Sequence, residues 1–193
     1  MSVQIDQKNA VILPEAVLII GTYDENDVPN AMNAAWGTQT DFNEITISLS
    51  KHKTTENLEK TGAFTVAFGT EATVTVSDYF GVETGKKVNK IEKAGCHVHK
   101  SANVNAPIIE EFPLTLECTV KSWNADEGIL VGQIVAQQAD ESILTDGHVD
   151  LDKMKPIIYD SALQAYRSVG PVIAKAFEEG FKIKKAEKQW DSQ

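Results

Sequence analysis

Residues 30–60 read NAMNAAWGTQTDFNEITISLSKHKTTENLEK, and the succession of patterns inside that stretch decides the fold. A polar strand carrying Asn33, Ala34, Ala35 and Trp36 comes first. A second strand follows over residues 45–50, where Ile45, Ile47 and Leu49 alternate with Thr46, Ser48 and Ser50, the period of a half-buried strand. It runs into a basic, hydroxyl-rich loop, Ser50-Lys51-His52-Lys53-Thr54-Thr55, which opens a helix expected over residues 55–60. Strand, basic loop and helix start make a candidate anion cradle. Ser50, Thr54 and Thr55 offer hydroxyls, Lys51 and Lys53 offer charge, His52 a further donor, and the helix its N-terminal amides. The same spacing also fits a solvated loop with an ordinary cap, and both readings stay open on pattern alone.

Working outward, residues 16–22 read as a strand, and the Asp24-Glu25-Asn26-Asp27 turn leads into a partner strand over residues 28–40. Residues 62–69, GAFTVAFG, are another apolar strand. Residues 114–123 and 128–137 flank Asn124-Ala125-Asp126-Glu127 and read as a hairpin. So many short strands joined by tight turns indicate an antiparallel barrel or sandwich rather than a parallel sheet. Short helices are expected over residues 86–94, 160–169 and 172–179, the last two forming a C-terminal helical extension from about residue 160. Residues 70–79 fit strand by composition and helix by position. No repeat or linker interrupts the chain, so a single domain over residues 1–193 is expected.

The chain has 193 residues, a formal net charge of -10 and a sequence pI of about 4.8. That balance repels nucleic acid and anionic membranes, yet is compatible with a small anion held in one local cradle. The apolar run near the N-terminus is broken by Pro14 and Glu15 and has no basic leader, so neither a signal peptide nor a membrane span is expected. Cys96 and Cys118 lack paired spacing, which suits reduced thiols and a cytoplasmic location. Cys96-His97-Val98-His99 puts two imidazoles on one strand face, but no second ligand pair has zinc spacing. There is no G-x-G-x-x-G, hence no Rossmann nicotinamide site. Residues 182–188 alternate basic and apolar and read as a solvated end.

Several motifs in order carry a family likeness. N-x-M-N-A-A-W, I-S-L-S before K-x-T-T-E-N-L, G-A-F-T-V, T-G-K-K-V-N-K, P-L-T-L-E-C-T-V and P-I-I-Y before Tyr166 resemble the flavin reductase-like FMN-binding split-barrel family, especially its flavoredoxin-like members. The resemblance implies a mainly β fold with short helices, a six-stranded antiparallel Greek-key split barrel, and a homodimer with FMN at the subunit boundary. It implies that Asn33, Ala34, Ala35 and Trp36 lie along the isoalloxazine ring, with Ser48, Leu49 and Ser50 beneath the ribityl chain. The family's Arg-x-Thr phosphate loop is matched by Lys53-Thr54-Thr55, with His52 as a neighbouring donor. Lysine keeps the charge but loses the two-pronged fork. The family's Ser-Gly…Asp-Lys segment is matched by Thr84-Gly85…Asn89-Lys90, which puts Lys90 near the flavin. Lys90 also reads as a surface charge in the run Lys86-Lys87…Lys90…Lys93.

The implied activity is an FMN-dependent oxidoreductase passing electrons from NAD(P)H or a protein donor through FMN to an acceptor. A non-redox flavin carrier and a pyridoxamine-phosphate-oxidase-like enzyme are the alternatives. No acid–base residue is nominated, because in this chemistry the protein orients and tunes the cofactor. Tyr159 and Tyr166 are candidates for the mouth of the site.

Overall fold

The computed structural model describes residues 1–6 and 12–184; residues 185–193, including the far end of the expected C-terminal extension, lie outside the described residues. Seven strands form the main sheet: β1 (Leu18–Tyr23), β2 (Pro29–Ala34), β3 (Gly37–Asp41), β4 (Glu44–Ser48), β5 (Ala63–Phe68), β6 (Leu114–Asn124) and β7 (Ile129–Ala139). They lie in the order β2-β1-β5-β6-β7-β4-β3 with every pairing antiparallel. This curled sheet with short helices agrees with the split-barrel expectation.

The count is seven rather than six because residues 28–40 are not one strand. Ala34 pairs with Leu18 at one edge of the sheet, whereas Gly37 pairs with Ile47 at the other. The chain therefore crosses the open seam of the barrel at Ala35 and Trp36. Gly37 permits the crossing: a Cβ there would stand 2.7 Å from Leu18 Cδ1 and 3.2 Å from Ile47 Cγ1. The Ser48 amide donates to the Trp36 carbonyl at 2.7 Å and ties the crossing to β4.

Burial explains why β1 is apolar without alternation. Leu18 and Ile20 enter the barrel interior with Ile45, Ile47, Phe64 and Leu130. Ile19, on the opposite face, packs beneath the helical cover with Phe80, Ile91 and Ile109. A strand covered on both faces has no side that favours polar residues. Each such side chain contributes about 1.5–3 kcal/mol when fully buried.

Helix α1 (Lys53–Thr61) begins two residues earlier than expected, with His52 as its N-cap, and stops at Gly62, whose φ of 64° suits glycine. Helix α2 (Val74–Val82) resolves the ambiguous stretch in favour of helix, after a 3₁₀ turn at Glu71–Thr73. Helix α3 is only Lys90–Lys93, capped by the Asn89 side chain, so the helix expected over residues 86–94 is shorter.

The C-terminal expectation is overturned over residues 160–179, while residues 181–184 form a single helical turn. Residues 160–169 are not helical: Ile157–Asp160 and Ala165–Ser168 pair as an antiparallel hairpin, whose first strand also pairs with Glu15–Ala16. Asp160 holds the turn, accepting from the Leu163 amide at 3.1 Å and from Arg167 Nε at 2.6 Å. Leu163, whose i, i+3 spacing to Tyr166 suits a helix, is exposed. No helix forms over residues 172–179 either. Val172, Ile173 and Phe177 there are exposed, and a short helix without a buried apolar face is marginal in water.

Candidate functional site

Two adjoining recesses flank the seam. The larger, of about 400 Å³, is walled by Asn30 and Asn33 of β2, by Lys53 and Thr54 at the start of α1, and by Gly85 and Lys90. The smaller, of about 290 Å³, is walled by Ala34, Ala35 and Trp36 at the crossing and by Ser48, Leu49 and Ser50 at the end of β4. Met32, Asn33 and His52 line both. Eleven of the twelve residues that the resemblance assigns to the FMN site therefore line one or other of these adjoining recesses, whereas Lys51, nominated from the loop pattern, lines neither.

Thr55 is the exception. Its hydroxyl donates to the His52 carbonyl at 2.9 Å and accepts from the His52 amide at 3.0 Å, which fixes the first turn of α1. It is buried and lines neither recess. Thr54 lines the larger one and accepts from Asn30 Nδ2 at 2.9 Å. Gly85 closes against that pair; a Cβ there would stand 2.0 Å from Asn30 Oδ1.

The two expected cations differ sharply. Lys53 Nζ is ion-paired with Asp24 Oδ2 at 2.9 Å. Burial alone would raise the Asp24 pKa, but the hydrogen bond from Lys53 and those from the Val28 and Asn26 amides outweigh it and hold the carboxyl below its ordinary value. Lys90 is no surface charge. It is 5% exposed, and its ammonium donates to the Phe80 carbonyl at 2.8 Å. Burial pulls its pKa down to about 8, with Glu83 acting in the opposite sense. No carboxylate lies in hydrogen-bonding contact with it among the described residues, so a desolvated cation faces a polar recess with donors to spare.

Sequence reading missed Asn30, Gly81 and Asp78. Asn30 opens the N-x-M-N-A-A-W motif and stands opposite Thr22 in the β1–β2 register, three residues before Asn33. Gly81 packs where a Cβ would meet Asn33 Cβ at 3.4 Å. Asp78 accepts the Tyr166 hydroxyl at 2.8 Å, a contact between α2 and the C-terminal hairpin that no local pattern announces. Tyr159 lines the smaller recess, while Tyr166 stands behind it.

The His97 and His99 pairs are salt-bridge partners of Glu111 and Glu110. Among the described residues no group of three or more His, Cys, Asp or Glu side chains is placed to hold a metal ion. Among the same residues no helix is long and apolar enough to cross a membrane.

The flavin reductase like domain matches residues 11–161, and the chain belongs to that family. Among solved structures it is similar to the flavoredoxin of Desulfovibrio vulgaris (Miyazaki F), with 30% identity and a TM-score of 0.86 over 93% of this chain and 98% of that one. It is similar to the flavoredoxin from Methanosarcina acetivorans, at 28% identity and a TM-score of 0.86 over 95% and 99% of the two chains. An FMN-binding domain of a flavin reductases-like enzyme from Shewanella baltica shares the fold at 19% identity, with a TM-score of 0.76 over 83% and 89%. A search of curated proteins gave no match.

Proposed function

We propose that the chain is an FMN-dependent oxidoreductase of the flavin reductase and flavoredoxin type, receiving electrons from NAD(P)H or a protein donor. The observation that carries this reading is Lys90. Among the described residues its ammonium has a backbone carbonyl as its hydrogen-bond partner, and Glu83, which acts on it electrostatically, shares the recess wall with Lys53 and Lys87; a buried ammonium so placed is costly unless an anion or a strongly polar group completes its shell. Thr54, His52 and Asn30 add polar side chains to the same wall. The loop at Gly85, having no Cβ, leaves the recess its width.

FMN fits this donor set, and when bound it supplies hydride acceptance and electron transfer. The chain's own part is orientation. Lys90 meets the charged or most polar edge of the cofactor. Ala34 and Ala35, having small side chains, let the crossing backbone approach a flat ring, and Ser48, Leu49 and Ser50 wall the opposite side. Lys53, Thr54 and the α1 amides would hold the phosphate, with Lys53 shared with Asp24. Trp36, at 67% exposure, borders the ring end and covers it when a second copy or a substrate packs there. A homodimer with the seam at its boundary is part of this proposal, supported by the exposed Trp36 and Phe42 beside the edge strand β3. So is a cytoplasmic location without nucleic-acid or membrane partners.

The absorbance spectrum of the purified protein, followed by anaerobic titration with NADH and NADPH, tests the proposal. A bound flavin spectrum that bleaches with either nicotinamide is expected for a reductase. Bleaching only by dithionite points to a protein donor or to a carrier role. Protein that neither carries nor takes up FMN ends the reading.

A further inference from the structure

The side-chain amide of Asn33 sits where the two recesses meet, and its polarity is set by a chain of partners that do not belong to the recesses. Asn33 Nδ2 donates to the Ser77 carbonyl at 2.9 Å and to the Tyr166 hydroxyl oxygen at 3.4 Å. A carbonyl can only accept, so the nitrogen rather than the oxygen must face Ser77. The Tyr166 hydroxyl spends its own proton on Asp78 Oδ1 at 2.8 Å, which leaves its oxygen free to accept from Asn33. Burial and the Asp78 carboxylate push the Tyr166 pKa up to about 12, so the phenol keeps that proton. Every bond in the series points one way, from Asn33 through Tyr166 to Asp78.

Both Nδ2 hydrogens are thereby used on the α2 side. Oδ1 is the amide's remaining polar atom, and no donor meets it among the described residues. Gly81 lies directly against Asn33, since a Cβ there would be in van der Waals contact with Asn33 Cβ at 3.4 Å.

We propose that Tyr166 and Asp78 are positioning residues that lock Asn33 as a hydrogen-bond acceptor toward the recesses, so that the site selects a ligand presenting an N–H at that junction. Two ligand groups have that chemistry: the imide N–H of a flavin ring and the carboxamide N–H of a reduced nicotinamide. The inference rests on the FMN reading above, and the test separates the two.

The full-length protein is titrated with FMN and with N3-methyl-FMN, wild type against Tyr166→Phe and Asn33→Leu, with thermal melts as the control for folding. For a flavin imide, the wild type should prefer FMN by roughly tenfold, the loss expected when a good acceptor faces a methyl group. Asn33→Leu should bring that ratio to about one. Tyr166→Phe should lower it severalfold while leaving FMN affinity within about threefold, a change in selectivity that loosened packing alone would not produce. The second arm compares KM for NADH and for reduced 3-acetylpyridine adenine dinucleotide in the same variants. A preference for the carboxamide in the wild type, lost in Asn33→Leu, assigns the acceptor to the nicotinamide. Absence of discrimination in both arms, with FMN bound normally, overturns the proposal and leaves the FMN reading standing. Failure of the wild type to bind FMN ends both.

Discussion

Two lysines reach the same recess from opposite walls, and they could hardly be more different. Lys53 opens α1 from a solvent-facing loop and is neutralised by Asp24. Lys90 enters from the short α3, is buried, and among the described residues is hydrogen-bonded to the Phe80 carbonyl rather than to a carboxylate. Residue type and loop chemistry make Lys53 the obvious anion ligand. Partners reverse the ranking, because a cation already hydrogen-bonded to a carboxylate has less to gain from a ligand than a buried one that only a carbonyl and the more distant field of Glu83 support.

The largest test of that contrast is Lys90→Met. Removing a charged hydrogen bond to a bound anionic or polar group should weaken FMN binding by about 1.5–3 kcal/mol, measured by fluorescence titration. The ligand-free protein should melt at a higher temperature, since an apolar side chain of similar length replaces a buried charge. If Lys53→Met weakened binding more than Lys90→Met, the ranking would be wrong.

Acidity gives the next effect. FMN affinity should fall as pH rises through about 8, where Lys90 loses its proton, at up to about tenfold per unit. In the ligand-free protein the same group acts with the opposite sign. Its folded pKa of about 8 lies below the ordinary 10.5, so between those values the unfolded chain binds the extra proton. The Lys90 contribution to stability therefore rises with pH across that window. Comparing pH titrations of wild type and Lys90→Met isolates both effects, and a dependence that persists in the variant would assign them elsewhere.

Gly85→Ala should cost about 1–2 kcal/mol in binding or stability, since its Cβ would displace Asn30 and break the Asn30–Thr54 bond. Calorimetry of the free and loaded protein apportions the loss; an unchanged melt and affinity would mean that Asn30 relocates without consequence. The smallest effect belongs to the paired cation. Lys53→Ala should cost no more than about 1 kcal/mol, and Asp24→Asn should tighten FMN binding by a few tenths, as expected for a partly exposed pair. Weaker binding in Asp24→Asn would show that the carboxylate positions Lys53 rather than competing for it.

Much of this was readable beforehand. The alternation of Ile45, Ile47 and Leu49 reflects a sheet with one face on the core, and the hydroxyls after Lys53 do open a helix. What escaped the sequence was non-local. Asp24 and Lys53 pair from separate elements, and Tyr166 reaches Asp78 from the far end of the chain. The i, i+3 spacing of Leu163 and Tyr166 mimicked a helix, but Leu163 falls in a turn held by Asp160 and Tyr166 faces α2 from a strand. The single strand expected over residues 28–40 was broken by barrel closure, a demand of the whole sheet that no short window contains. Lys90 stood in a run of lysines, and only the packing of α3 beneath α2 distinguishes it from its neighbours.

The crossing at Ala35 and Trp36 makes one continuous segment the owner of both outermost strands. Fraying at either rim, the place where sheets ordinarily breathe first, must therefore tug directly on the wall of the smaller recess. The Ser48 amide, bonded to the Trp36 carbonyl, becomes a natural reporter: its deuterium uptake should slow when a ligand staples the two rims together, while amides deep in β1 hardly change.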